Sequence, residues 1–418
     1  MPTPSDPLDV IVLGAGAAGM LCAVRTAERG RRVLLLEKGP KAGVKILMSG
    51  GTRCNLTHNA DPGDIADAYA RLAGGAEGKK KARFLRPALS RLTPDALVAL
   101  FEAEGLRTKI EATGKVFPES DRALDVQQAM LRMLDRAGVT LSINEAVERV
   151  ERSATGYVVT TSKRSIAAAK IVVAVGGQSY PGCGTTGDGY AWAKSLGHRI
   201  VPPRPALVPL TSTERWSSEL QGLTLSDVRV RINGSGAKPL TERRGSFLFT
   251  HFGLSGPAVM DASRVVTARP DAGRWQATCD FLPGVDEQEL LGQLQTAGGR
   301  TLLGLVAEWT PRRLAEALVS QADAPADGRL AELTKPQRRR IVDAVKRMPI
   351  PIAGSLGFKK AEVTAGGVEL SEIDPRTMES RVAPGAYFIG EVLDLDGPIG
   401  GYNFQAAFST GMLAAESV

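Results

Sequence analysis

The chain has 418 residues, 43% hydrophobic and 23% charged, with a formal net charge of +7; this is an ordinary globular composition, long enough for two or three domains. So mild a positive balance, without a dense basic face, does not call for nucleic acid. Four scattered cysteines (Cys22, Cys54, Cys183, Cys279) form no C-x-x-C pair or disulfide framework, three histidines (His58, His198, His251) are too few to suggest a metal site, and no apolar run reaches the roughly 18 residues of a membrane span. The short polar stretch Met1 to Pro7 does not read as a signal peptide, so the cytoplasm is the expected location.

The first 40 residues read strand, helix, strand. Gly14-Ala15-Gly16-Ala17-Ala18-Gly19 follows the apolar run Val10 to Leu13, and Glu37 closes a second run, Val33 to Leu36. In a dinucleotide site the first glycine makes the tight turn, the second admits a pyrophosphate and the third lets helix and strand pack closely. The helix N-terminus offers N–H groups and partial positive charge to the phosphates, and an acid placed like Glu37 meets the ribose hydroxyls.

Ala42 to Thr57 reads as a long loop, and Gly74 to Arg86 as a small-residue, then basic, stretch. Lys79-Lys80-Lys81 and Arg338-Arg339-Arg340 read as solvated faces, the arginines with the option of surrounding an anion. Helical patterns cover Pro94 to Glu104 and Ala123 to Ala137. Ser120-Asp121 is a plausible cap for the second, and Gly105 and Gly138 suit left-handed C-caps. Strands are expected at Val139 to Ile143, Tyr157 to Thr161 and Ile171 to Val175, the last running into Gly176-Gly177. Pro202, Pro203, Pro205 and Pro209 suggest a domain crossover. A β-rich stretch then covers about 205–282. A helical one covers about 287–346, with caps at Thr310-Pro311 and Thr334-Lys335-Pro336. Strands return at Glu362 to Thr364 and Tyr387 to Ile389, and a last helix runs from about Asn403 to Glu416. The expected fold is α/β: a Rossmann-like domain of residues 1–190 and 350–418, interrupted by an inserted cap of residues 191–349.

Several segments, in order along nearly the whole chain, resemble one family. They are Glu37-Lys38-Gly39, the loop Gly43 to Thr57, Gly114 to Pro118, Gly184 to Tyr190, Leu248 to Pro257, Val363 to Val368 and Gly390 to Gln405. Together they resemble the two-dinucleotide-binding-domain flavoproteins, in particular the bacterial aminoacetone-oxidase-like and dehydro-bile-acid-reductase-like NAD(P)/FAD-dependent oxidoreductases. The loop departs from that pattern at Val44, where the family has Arg, and at Thr52, where it has Gly. The resemblance implies FAD as cofactor. Its expected contacts are Gly14, Ala15, Gly16, Ala18, Gly19, Glu37, Lys38, Lys45, Gly51, Arg53, Cys54, Asn55, Val147, Ala174, Gly176, Gly177, Gly390, Glu391, Asp394, Gly400, Gly401, Tyr402 and Asn403.

Within this set Arg53 suits a phosphate or flavin carbonyl, or else a loop-fixing salt bridge. Val147 matches the position whose backbone meets the adenine. Gly400-Gly401 opens a helix whose N-terminus would face the pyrimidine side of the flavin, with Asn403 capping it or bonding the ring. Asp394 faces the ribityl and pyrophosphate region, or is a solvated turn residue like Asp396. Cys54 reads as a packed small side chain. His251 and Tyr402 are the candidate acid–base residues. No second G-x-G-x-x-G directly follows a strand, and Gly234-Ser235-Gly236 lacks the third glycine, so NAD(P)H is expected only as a transient electron donor. The resulting expectation is an FAD-dependent oxidoreductase that moves hydride between flavin and a small organic substrate where the two domains meet. The alternatives are an FAD-dependent RNA-modifying enzyme and a non-catalytic flavin-binding redox sensor.

Overall fold

In a computed structural model the described residues are 8–418, apart from 235, 237, 270–273 and 297–298. The readings of Met1 to Pro7 and of Ser235 lie outside them. The chain divides into two compact units, Met1–Pro205 with Ala361–Val418, and Ala206–Lys360. These divisions fall later than the expected 190/191 and 349/350: the strand Ile200–Ala206 pairs with Val363–Val368, and Met348–Ile352 and Gly354–Ser355 pair within the second unit's sheet.

The first unit is built on a seven-stranded sheet. Leu8–Leu13 lies between Val33–Leu36 and Ser165–Val173, all parallel; Thr140–Ser142 extends one side and Ala386–Phe388 pairs with Ile171 to Val173 on the other. Gly156–Thr161 and Val147–Ser153 continue as an antiparallel hairpin. Val10 to Leu13, Val33–Leu36 and Ile171 to Val173 are buried, as a parallel sheet covered on both faces requires. The helices Ala17–Ala27 and Tyr402–Ser417 pack together against it, with Ala18 against Gly390 and Gly411.

Several local expectations change. The loop after Ala42 contains a short helix, Val44–Met48, and a 3-10 turn, Ser49–Thr52. The stretch after Gly74 is not irregular: Pro62–Ala73 and Gly75–Arg91 form a helical hairpin. A Cβ on Gly78 would collide with the Ala70 carbonyl, so a glycine lets the two helices touch. Ser120 and Asp121 do not cap Ala123–Arg136; Ser120 bonds Asp125, and Asp121 pairs with Arg53 and Lys109. Thr310 ends the helix Leu302–Trp309 rather than starting the next, whereas Thr334 and Gln337 form a reciprocal capping box.

The second unit holds a seven-stranded sheet in the order Met348–Ile352, Trp275–Asp280, Thr224–Asn233, Thr241–Thr250, Gly253–Ser255, Leu210–Thr211 and Gly354–Ser355. Its pairings are antiparallel. Alternating Val228, Val230 and Ile232 turn inward to a separate core shared with helices such as Leu302–Trp309 and Lys335–Lys346. Arg338, Arg339 and Arg340 are engaged locally: Arg338 with the Leu330 carbonyl, Arg339 with Glu287 and Asp343, and Arg340 with the carbonyls of Ala322 and Asp323. Among the described residues no helix is long and apolar enough to cross a membrane.

One buried acid braces the sheet edge where Glu37 emerges. The Glu145 N–H donates to the Glu37 carbonyl (3.0 Å), while its carboxylate accepts from Arg164, Ser142 and Thr161. The Arg164 hydrogen bond, foremost, holds the Glu145 carboxyl down at about 2. A depressed acid stabilises the fold fully above its unfolded value of about 4.3 and loses that stabilisation as pH falls through the folded value. Arg164→Met is expected to cost about 1–2 kcal/mol at pH 7, since Arg164 remains half exposed. Urea unfolding should show the difference from wild type shrinking steadily as the pH is lowered toward 2.

Candidate active site

The parallel strands of the first unit all end on one edge, where Gly14, Glu37, Ala174 and Gly390 of the predicted cofactor set lie. Leu13 leads into Gly14, Leu36 into Glu37, Val173 into Ala174 and Phe388 toward Gly390. In open α/β sheets ligands bind outside such carboxyl ends. Gly14 has φ +99°, and its added Cβ would lie 2.8 Å from the Ala174 carbonyl. A Cβ on Gly19 would collide with the Gly14 carbonyl, whereas one on Gly16 meets nothing within 4 Å. The first and third glycines are therefore needed by the fold, and the second faces open space. The helix Ala17–Ala27 has no side-chain cap and no acid in its first turn, so its leading N–H groups are available to an anion.

Glu37 accepts from the Ala15 and Gly39 N–H groups at 3.1 and 2.8 Å, which holds its carboxylate beside the glycine turn. Lys38 pairs with Asp188 and bonds Thr186. Lys45 reaches Glu391 at 2.6 Å and Ser179 at 2.7 Å, and Glu391 also accepts from the Thr364 N–H. Four distant segments thus meet in one polar knot beside Gly176 and Gly177. Val147 opens the antiparallel hairpin, two residues beyond Glu145.

The loop 49–55 is conformationally strained. Gly50, Gly51, Thr52 and Cys54 all have positive φ. At Thr52, φ +69° places a β-branched side chain in the left-handed region, where the resembling family has Gly. Arg53 adopts the loop-fixing role: it bonds Glu111 (2.7 Å) and Asp121 (3.3 Å) and lies over the Phe117 ring. Cys54 is fully buried, and burial pushes its thiol up to about 12, so it is inert packing. Asn55 is buried, and its Oδ1 has no hydrogen-bond partner.

The C-terminal glycine pair opens the helix Tyr402–Ser417, whose first turn has no side-chain cap and no acid. Gly401 has φ +95°, and a Cβ there would collide with the Thr57 carbonyl. Asn403 neither caps this helix nor points free. Its amide clasps the preceding turn, accepting from the Gly397 N–H and donating to the carbonyls of Gly397 and Pro398. Asp394 and Asp396 are not solvated turn residues, and Lys81 is not on a solvated face. Lys81 is 1% exposed and lies among Asp394 (3.0 Å), Asp396 and Glu77 (3.2 Å). Asp394 also accepts from the Gly366 N–H, and burial raises its carboxyl above the ordinary range.

Two residues absent from the predicted set complete the site. The His58 ring stacks on Tyr402, centroids 4.8 Å apart and planes 22° apart, with Nδ1 3.1 Å from the Gly400 carbonyl. Burial, aided by Lys115, holds the imidazole below its usual range. Tyr69 donates to the Tyr402 carbonyl. The sequence carried no local sign of either contact, since His58 meets a residue more than 300 positions away. His251, the predicted acid–base histidine, is an exposed turn residue between Thr241–Thr250 and Gly253–Ser255 of the second unit.

This edge fits an extended dinucleotide: two uncapped helix N-termini, an acid fixed beside the glycine turn, the space at Gly16 and the unpartnered Asn55 Oδ1. Fold and site define the class, an FAD-dependent oxidoreductase. A family model described as the HI0933-like protein Rossmann domain matches residues 8–417, and the chain belongs to that family. A ribosomal RNA dihydrouridine synthase of Escherichia coli (strain K12) is 34% identical over 422 residues, covering 99% of this chain and 98% of that protein. A 3-dehydro-bile acid delta(4,6)-reductase of Clostridium scindens is 31% identical, covering 97% and 98%. Among solved structures, a 3-ketosteroid-delta4-(5alpha)-dehydrogenase from Rhodococcus jostii RHA1 shares the fold, with TM-score 0.52 at 14% identity, covering 99% of this chain and 98% of that one.

Two substitutions separate fold from ligand. Gly16→Ala is expected to keep the wild-type melting temperature while weakening FAD at least about tenfold, because its methyl enters only the open space; fluorescence titration with FAD measures this. Lys81→Met strands two buried carboxylates, and denaturant unfolding should show a loss of about 3–5 kcal/mol.

Proposed function

We propose that this protein reduces a uridine of ribosomal RNA to dihydrouridine. The observation that carries the reading is the end-to-end match to the E. coli ribosomal RNA dihydrouridine synthase, in which each chain covers nearly all of the other. The bile acid reductase supports the same bond chemistry. A uracil C5=C6 bond and a steroid Δ4 bond beside a 3-oxo group are both conjugated to a carbonyl. Each reduction adds a hydride to the carbon remote from that carbonyl and a proton to the carbon next to it.

FAD, when bound and reduced, would supply the hydride. In this reading the Gly14 to Gly19 turn holds its pyrophosphate, Glu37 its ribose, Lys45 and Glu391 its ribityl region, and the N-terminus of Tyr402–Ser417 the pyrimidine edge of its ring. His58 is held neutral by burial and gives its Nδ1–H to Gly400, so the proton comes from its stacked neighbour. The Tyr402 hydroxyl delivers a proton to uracil C5 as hydride arrives at C6, and water restores it. The His58–Tyr402 pair also offers a face on which an extruded base stacks. A nicotinamide docking transiently is the proposed electron donor, in keeping with Gly14 to Gly19 being the G-x-G-x-x-G that directly follows a strand, whereas Gly182 to Gly187 stands well beyond the end of Ser165–Val173. The cytoplasm is the compartment this reading requires.

Nucleoside mass spectrometry of ribosomal RNA tests the proposal. A strain lacking the gene should lose dihydrouridine, and the wild-type gene should restore it. Tyr402→Phe should bind FAD normally but work at least about 100-fold more slowly. Dihydrouridine unchanged in the deletion strain would contradict the reading. The bile acid reductase match favours one second reading, reduction of a small enone by the same residues; turnover of an enone without RNA, in a strain whose dihydrouridine is intact, would select it.

A further inference from the structure

Resting on the RNA reading above, we propose that the outer face of the helix Gly75–Arg91 is the docking surface for the RNA backbone. Lys79, Lys80, Arg83 and Arg86 are all exposed. Lys79, Arg83 and Arg86 follow the spacing of one helical face. Lys80 pairs with Glu369, and Arg86 is 3.3 Å from Asp67. Among the described residues Lys79 and Arg83 make no ion pair, nor does Arg71 on the neighbouring helix Pro62–Ala73, which is also exposed. The acids of the hairpin are Asp64, Asp67 and Glu77, the last turned toward Lys81. Like charges at i, i+3 and i, i+4 destabilise a helix by themselves, a cost that a polyanion lying along them removes.

The face suits a backbone rather than bases. Phe84, the aromatic residue between Arg83 and Arg86, is buried on the inner side, so the outer face offers charge without a stacking platform. From Lys79 to Arg86 the helix rises about 10 Å, against a rise of about 3.4 Å between successive phosphates of a duplex strand. The opposite face of the same helix carries Lys81 into Asp394 and Asp396, in the turn that leads to Gly400, Gly401 and Tyr402. The cationic tips and the site's own turn are therefore about one helix diameter apart, roughly 10–12 Å. A strand held on the outer face lies one helix away from the turn that sets Tyr402.

The test uses the full-length holoprotein and a fluorescently labelled transcript of ribosomal RNA. Anisotropy is recorded between about 50 and 200 mM salt, the range over which phosphate contacts are most visible. Lys79→Gln/Arg83→Gln should weaken binding at least about tenfold at the low end. It should also flatten the log–log salt slope by about 1.4–1.8, the contribution of two phosphate contacts. Lys79→Glu/Arg83→Glu should weaken binding further. Both variants should keep wild-type FAD content and melting temperature, since both positions are exposed. If the wild type binds the RNA and both variants match it in affinity and slope, the docking surface is overturned while the uridine reading stands. If the wild type binds no RNA at any salt, both fall together.

Discussion

Four parallel strands release their chains at one edge of a single sheet, and the backbone groups exposed there set the terms for the rest of the molecule. A parallel sheet has its faces covered, so this edge is where a polar ligand can meet both main chain and side chain. Leu13, Leu36, Val173 and Phe388 are each followed within two residues by glycine, acid or small-residue turns. The Glu37 carboxylate is tied to the Ala15 N–H, and Lys45 and Glu391 are tied through Ser179 and Thr364. Segments far apart in sequence are thereby held in one rim, with two helix N-termini contributing charge to it.

The helix Gly75–Arg91 serves that rim from outside. Its buried Lys81 faces two carboxylates that are themselves shielded from water. Such a cluster gives weak net stabilisation at best, because desolvating three charges offsets much of their attraction. Its value is geometric: it fixes the 394–397 turn, which Asn403 then clasps from the other side. The glycine pair and Tyr402 leave that turn in a set direction, with Gly401 pressed on Thr57 and His58 stacked against the tyrosine ring.

What was legible in the sequence was what is local. The strand, glycine turn, helix and acid from Val10 to Glu37 lie within one stretch, and each residue has a reason that its neighbours supply. The capping box at Thr334 and the C-caps at Gly105 and Gly138 are similarly self-contained. The helix Gly75–Arg91 escaped notice because it opens with glycines, carries Pro87 and shows its lysines as a run. Helical spacing held the missing clue, since Lys81 shares a face with Gly78, Leu85 and Ala88, all buried. Arg53 was ambiguous because its partners, Glu111 and Asp121, sit in two other loops, on either side of the strand Lys115–Pro118. His58 was invisible as a site residue, since only the folded chain brings it to Gly400 and Tyr402.

The central claim is that the edge built by these strands holds FAD and passes its electrons to a uridine in RNA. Anaerobic, photoreduced protein mixed with an unmodified ribosomal RNA transcript tests it most directly, by following the visible flavin absorbance and counting dihydrouridine in the same sample. The account predicts that the absorbance returns as dihydrouridine forms in equal amount. Protein that stays bleached with the transcript, yet recovers its absorbance with a small enone, would contradict it.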